Sequence, residues 1–371
     1  MNPTGVSVFF RNQTGKKKSI QHVSLISIIL AAYSSVAAAG AHIKVNESSS
    51  IDIGVSSRMS FTHISSPGTG QYENKFNLDS VRLLTNTHIN KNLALTINTE
   101  RDPATGDVTV LDAAAKLSMD NLPNIWMGRF VTPVDRANLS GSYFANSYDY
   151  PFVSAYPTLV GGRNDGVTVW GQPGEGRFTY YAGAFQGVNT PGSQNANGRY
   201  PLYVGRLNFD FWDPEPGYFT QSMYYTPKNI LAVGLAAARQ NGIYGTASSP
   251  GNFTGWNVDV FVEKNLNAGI PTLDAAYYRY NTNDKALDAQ GKAYFVTLGY
   301  LFNHKIGAGK IQPIVRYQRF NEDSGIVHKR TDVGANYVID GHRNRVSAVF
   351  YNDDTGTLRY HAFKVGYQII F

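Results

Sequence analysis

Arginine is the residue whose placement in this chain carries the most chemistry. Arg58, Arg82, Arg129, Arg206, Arg316, Arg330 and Arg345 all fall in stretches where apolar and polar residues alternate, and each sits on the polar phase. A planar guanidinium can hold a pair of carboxylate or phosphate oxygens. A row of them on one face of a sheet therefore raises the local anion concentration. Lys364 and Arg279 are assigned to the same face, and so are Asp52, Asp210, Asp259, Glu263 and Asp332. The same residues thus allow a second reading, a polar wall tied together by its own ion pairs. A further charged group occupies 132–165 (TPVDRANLSGSYFANSYDYPFVSAYPTLVGGRND), namely Asp135, Arg136, Asp149, Arg163 and Asp165. These are interleaved with Tyr143, Phe144, Tyr148, Tyr150, Phe152 and Tyr156.

Patterns for covalent or metal chemistry do not accompany them. The eight histidines are scattered singly, and neither H-E-x-x-H nor G-x-S-x-G occurs. The string GAGK at 307–310 has Ile311 where a phosphate loop needs Ser or Thr, so it reads as a turn. At 281–292, NTNDKALDAQGK lacks the ligand pattern of a calcium loop and reads as an outer loop. With no cysteine the chain has neither disulfides nor thiolate ligands. No catalytic residue, metal site or cofactor is expected. Were the chain an enzyme, Ser140 or Ser142 beside a histidine would be the sign to seek.

The elements that position the arginines follow from the pattern. At the N-terminus Lys16, Lys17 and Lys18 precede an apolar run at 23–32 (VSLISIILAA) and small residues at 34–41 (SSVAAAGA). Those are the parts of an export signal, and the run is too short for the roughly 20 residues of a spanning helix. Cleavage after Ala39 or Ala41 fits equally well. The chain then divides into a signal, 1–41, and one domain, 42–371. The signal holds four of the 33 basic residues and no acid, which leaves 29 basic against 27 acidic. The basic character is mostly the signal's and gives no reason to expect a nucleic-acid partner.

Beyond the signal, period-two alternation recurs. In 51–62 Ile51, Ile53, Val55, Met59 and Phe61 oppose Asp52, Ser56, Arg58, Ser60 and Thr62. About sixteen such segments are found, at 51–64, 76–89, 93–101, 107–119, 125–131, 166–172, 177–187, 201–212, 229–240, 255–264, 272–282, 292–302, 311–320, 329–339, 345–352 and 358–371. Short connections (90–92, 173–176, 340–344) contrast with long polar ones (132–165, 188–200, 241–254, 321–328). The stretch 213–228 must be a long turn to keep the count even. The last segment alternates Phe363, Val365, Tyr367, Ile369 and Phe371 up to a terminal aromatic. In hydrocarbon every backbone N–H and C=O must be satisfied internally, and a closed sheet does so without an edge. The expected fold is an all-β, 16-stranded antiparallel transmembrane β-barrel with a polar lumen. The third outer loop, 132–165, is expected to fold inward on its aromatics and narrow that lumen. Trp126, Trp170, Trp212 and Trp256 are expected in the aromatic girdles.

Several strings in this order carry a resemblance: MGRFVTP at 127–133, YYTPKNILAVG at 224–234, WNVDVFVEK at 256–264, TLDAAYY at 272–278, QPIVR at 312–316 and NYVIDGH at 336–342. Together they resemble the phosphate-selective porin family, porins O and P. The resemblance implies an outer-membrane porin, usually a homotrimer, whose water-filled channel passes small hydrophilic solutes or anions by passive diffusion. Members that prefer phosphate carry lysines at the constriction; 132–165 contains none, so the pore is carried over and the phosphate specificity is not. The alternatives are a barrel enzyme of the lipase or protease kind and a secreted soluble β-rich binding protein.

Overall fold

The computed structural model describes residues 40–67, 70–119, 123–155 and 162–371. Most of the export signal (1–39) and Tyr156 lie outside the described residues. Sixteen strands form the wall: β1 Ser50–Ser65, β2 Tyr72–His88, β3 Leu93–Arg101, β4 Val108–Leu117, β5 Asn124–Val131, β6 Arg163–Gly171, β7 Phe178–Phe185 and β8 Leu202–Asp210, then β9 Ile230–Thr246, β10 Ser249–Glu263, β11 Gly269–Asn281, β12 Gly291–Phe302, β13 Gly309–Glu322, β14 Val327–Asp340, β15 Asn344–Asp354 and β16 Arg359–Ile370. Each pairs antiparallel with its sequence neighbours, and β16 returns to β1 from Ala362↔Ile64 to Ile370↔Ser56. The terminal residue is held as well, since Val55 and Phe371 exchange both backbone hydrogen bonds. Two short strands, Ala41–Lys44 and Lys305–Ile306, extend the sheet beside β1 and β13.

Alternation sorts the side chains as period two requires. Leu83, Ile97, Met127, Leu207, Leu235, Val315, Val333 and Phe350 are exposed on the outside, while Ser56, Arg206, Asp259, Gln312, Arg316 and Gln368 are buried on the inside. Each of the sixteen segments read from the pattern coincides with one strand. Two loops are shorter than the sequence suggests. The stretch 241–254 is mostly strand, with Tyr244↔Gly251, Gly245↔Pro250 and Thr246↔Ser249 paired around a two-residue turn. A bulge between Gln240 and Tyr244, where Gly242 takes φ of +65°, hides the alternation there. The connection 321–328 shrinks to the four residues between Glu322 and Val327. The stretch 213–228 contains no strand, so the count stays even.

Wall height is uneven. Strands β3 to β8 have 8 to 10 residues, whereas β9 to β16 have 11 to 17. The connection between β5 and β6 and the one between β8 and β9 are both long; the described 132–154 part of the first is mostly buried, and the second buries Glu215, Tyr218, Thr220, Ser222, Met223 and Tyr224.

Candidate functional site

The connection after β5 begins with a short helix, α1, Arg136–Ser140. Asp135 caps it by accepting from the Asn138 N–H at 2.5 Å, and Ser154 donates to the other Asp135 oxygen at 2.7 Å. Asn138 ties the two ends of the connection together, donating to the Thr132 carbonyl at 2.6 Å and accepting from the Gly162 N–H at 2.6 Å. A second helix, α2, Phe152–Ala155, follows.

Side chains from the inner face of the wall read this connection's backbone. Arg58 donates to the Tyr148 carbonyl. Arg345 donates to Ala145 O at 2.8 Å, Gln368 to Tyr143 O at 2.8 Å, Asn336 to Asn146 O at 2.8 Å and Arg316 to Asp149 O at 2.7 Å. The Asp149 carboxylate accepts from Lys364 at 2.7 Å and from Arg330 at 2.6 Å. Gly366 makes room for the loop, because a Cβ there would run into the Tyr148 ring. From the high wall, Tyr280 donates to Val153 O at 3.0 Å and Asn257 to Val134 O at 2.6 Å.

The connection after β8 meets it. Arg136 forms a bidentate pair with Glu215, one arm at 2.9 Å, and also donates to Gln221 O at 2.7 Å. Both side chains are almost fully buried. Thr220 donates to Arg136 O at 2.9 Å, and the Ser222 N–H to Phe144 O at 2.9 Å. Tyr218 stacks on Trp126 with ring centroids 4.1 Å apart and donates to Val131 O at 2.8 Å. The two connections, with Phe130, Trp170, Phe253, Tyr278, Phe295 and others, form one buried apolar cluster.

What remains open is a cavity of about 740 Å³, bordered by β1 to β6, by the 138–144 part of the first connection and by the turn at 172–176. Its charged lining includes Asp52, Arg82, Asp112, Lys116 and Arg163. Arg82 pairs with Glu100 at 2.9 Å and Arg163 with Asp112 at 3.1 Å. Lys116 lies over the Trp126 ring, 4.2 Å from its centroid, and no carboxylate among the described residues is within ion-pair reach.

The residues expected to form a basic track are therefore distributed differently. Of the basic residues expected on that track, only Arg82 and Arg163 border the cavity. Arg136, Arg206, Arg316 and Arg345 are no more than 1% exposed. Arg136 and Arg206 are each joined to an acid (Glu215, Asp259), Arg316 is joined to Asp332, and Arg345 holds a carbonyl. Arg58, Arg330, Asp135 and Asp149 hold the connection in place. Arg129 is a correction: it shares the outer face with Met127 and pairs there with Asp165 at 3.1 Å, so neither faces the lumen. Arg279 likewise lies beside Trp256 and Tyr277 on the outer face and pairs with Asp323 at 3.1 Å. The cause in β5 is its aromatics. Trp126 and Phe130 turn inward, where Tyr218 covers them, and that sends Arg129 outward. Trp126 and Trp170 consequently lie inside rather than in a girdle; Trp256 is exposed on the outside. Ser140 donates to the Ala137 carbonyl at 3.0 Å.

Lys116, Glu215, Tyr218 and Tyr224 are not among the site residues expected from the sequence. The signals existed: Lys116 is in phase with Asp112, and 213–228 is as aromatic as 132–165.

One consequence is measurable. Burial raises the Asp135 carboxyl to about 6, against the opposing hydrogen bonds from Asn138 and Ser154. A raised acid favours the folded state more as the pH falls through that value, and the gain is complete below the unfolded value near 4. Thermal stability is expected to rise from pH 7.5 to pH 5 by about 1–1.5 kcal/mol from this group, and Asp135→Asn to flatten the rise. An unchanged pH profile in the variant rules the assignment out.

No family model matches the chain, and no curated protein matches it. Solved structures share its fold. OprB of Pseudomonas putida superposes with a TM-score of 0.64 at 10% identity, over 86% of this chain and 94% of that one. An anion-selective porin from Comamonas acidovorans gives 0.59 at 12% identity, over 87% and 100%. OmpT, an outer membrane protein of Vibrio cholerae, in its trimer form gives 0.58 at 13%, over 88% and 100%. At these identities the likeness is one of fold.

Proposed function

We propose that the chain is an outer-membrane porin, a passive, water-filled channel for small hydrophilic solutes and ions. The observation that carries this reading is the closed sixteen-strand ring, apolar outside and polar inside, with a cavity of about 740 Å³ left within it. An apolar exterior on a ring without edges suits hydrocarbon. Residues 1–41 serve as the export signal and 42–371 as the single barrel domain. The third outer loop folds inward as the constriction, supported by the hydrogen bonds of its described 132–155 part to Arg58, Arg345, Gln368 and Asn336. Solutes pass on the β1 to β6 side, where the cavity lies. Flux by this route needs no covalent chemistry.

Homotrimeric assembly is part of the proposal, supported by the trimer form of the similar OmpT structure. The anion preference is modest and resides in the basic residues that border the cavity: Lys116 has no acid partner among the described residues, and Arg82 and Arg163, each paired with an acid, still face the open space. Single-channel recording in a planar bilayer, with reversal potential in a salt gradient, tests this. Steady conductance with an anion-ward reversal that moves toward zero in Arg163→Ala is expected. Absence of conductance removes the pore; a cation-ward reversal removes the preference.

A further inference from the structure

We propose that the lumenal cavity is a binding station for a planar aromatic monocarboxylate. This rests on the pore reading only for how the solute arrives.

Lys116 and Trp126 are cross-strand partners on β4 and β5, and both are more than nine-tenths buried while bordering the cavity. The Lys116 ammonium is 4.2 Å from the indole centroid and lacks a carboxylate partner among the described residues. Asp112, the acid next in phase on its strand, is already committed, to Arg163 at 3.1 Å and Asn98 at 2.9 Å. Three more buried donors, on residues that border the cavity, have no partner among the described residues: the indole Nε1 of Trp126, that of Trp170 and the Ser56 hydroxyl. A buried donor without an acceptor is costly, and a cation more so. The site thus has a surplus of one positive charge.

The rest of the recognition surface is aromatic. Tyr218 covers one region of Trp126, and Phe219, only half-buried, borders the cavity 5.8 Å from the same indole. Phe144 borders the cavity as well and is half-buried. The ammonium and the Phe219 ring therefore both lie within 6 Å of one indole. That is the reach of a molecule with a carboxylate on a six-membered aromatic ring, the acid group on Lys116 and the ring against Phe219. A cavity of about 740 Å³ is of ordinary ligand-site size. Inorganic phosphate fits less well, because Arg82 and Arg163 are neutralised by Glu100 and Asp112 and its surfaces would face aromatic rings. A neutral sugar would leave the ammonium uncompensated.

The test is calorimetric titration of the full mature chain in detergent with benzoate, cyclohexanecarboxylate, acetate, inorganic phosphate and glucose. Benzoate is expected to bind tightest, with acetate, phosphate and glucose weaker by about tenfold or more. Lys116→Met is expected to lose about tenfold in benzoate affinity while Lys116→Arg stays near the parent. Phe219→Leu is expected to erase the preference for benzoate over cyclohexanecarboxylate. Acetate, phosphate or glucose binding as well as benzoate overturns the proposal, and so does a folded Lys116→Met that binds benzoate like the parent. If Lys116→Met does not fold, the parent's ligand series and Phe219→Leu decide. Binding is read without conduction. Benzoate binding in a chain that does not conduct sinks the pore alone, and conduction without benzoate binding sinks this inference alone.

Discussion

Arg136→Met is expected to destabilise the barrel by about 3–5 kcal/mol, the largest effect foreseen for a single side chain here. The guanidinium and its partner Glu215 are 1% and 4% exposed, and Glu215 also accepts from the Tyr224 hydroxyl at 2.6 Å. Removing the arginine leaves a carboxylate in a nearly dry space, and the cost is that group's lost solvation rather than the value of the pair itself. The change also separates the two long connections, because Arg136 bridges to Gln221 O as well as to Glu215. The control follows from the same physics. Arg136→Met combined with Glu215→Leu removes both charges, and apolar groups of similar size restore most of the loss. Denaturant unfolding of the folded, detergent-held chain measures both. A single variant within about 1 kcal/mol of the parent, or a double variant no better than the single, refutes the account.

Asp149→Ala is the second. Its carboxylate is, among the described residues, the acidic anchor between the constricting connection and the β14 to β16 wall, gripped by Lys364 and Arg330. Charge-assisted hydrogen bonds of this kind contribute about 1.5–3 kcal/mol each. Without them the connection is expected to open more often, giving larger and noisier single-channel currents. Asp149→Asn keeps the shape without the charge and should fall between. The clamp also has a pH signature. Burial alone would push this carboxyl up, but Lys364 and then Arg330 outweigh it and hold it below the usual carboxylate range. A lowered acid contributes fully above its unfolded value near 4 and is lost only as the pH falls through the lower folded value. Current noise is therefore expected to be flat from pH 7.5 down to about 5 and to grow in stronger acid. Asp135 acts in the opposite sense, its connection tightening between those same values. Parent-like currents from Asp149→Ala would falsify the anchoring role.

Part of the candidate site was readable before the fold. The number and positions of all sixteen strands follow from alternation, though not the paired tips of β9 and β10 beyond the bulge, because a strand that separates two solvents must show each of them every second residue. The inner positions of Arg58, Arg82, Arg206, Arg316, Arg330 and Arg345 follow from the same parity. Arg129 shows where parity gives out. It depends on knowing which face is greasy, and in β5 the aromatic face is the inner one, covered by a chain segment 92 residues further on, at Tyr218. Alternation marks two faces but does not say what covers each.

What the sequence alone determined is the number of strands, their order, the closing strand and the placing of most inner charges, all properties of neighbours along the chain or across one hairpin. Only the tertiary structure decided what those charges do. Whether an inward side chain meets water, a carboxylate or a loop carbonyl can depend on groups far along the chain, 79 residues away for Arg136 and Glu215 and 200 for Arg345 and Ala145. Two connections fill one side of the lumen and leave Lys116 facing the other, because buried charges must find partners wherever the closed ring brings them.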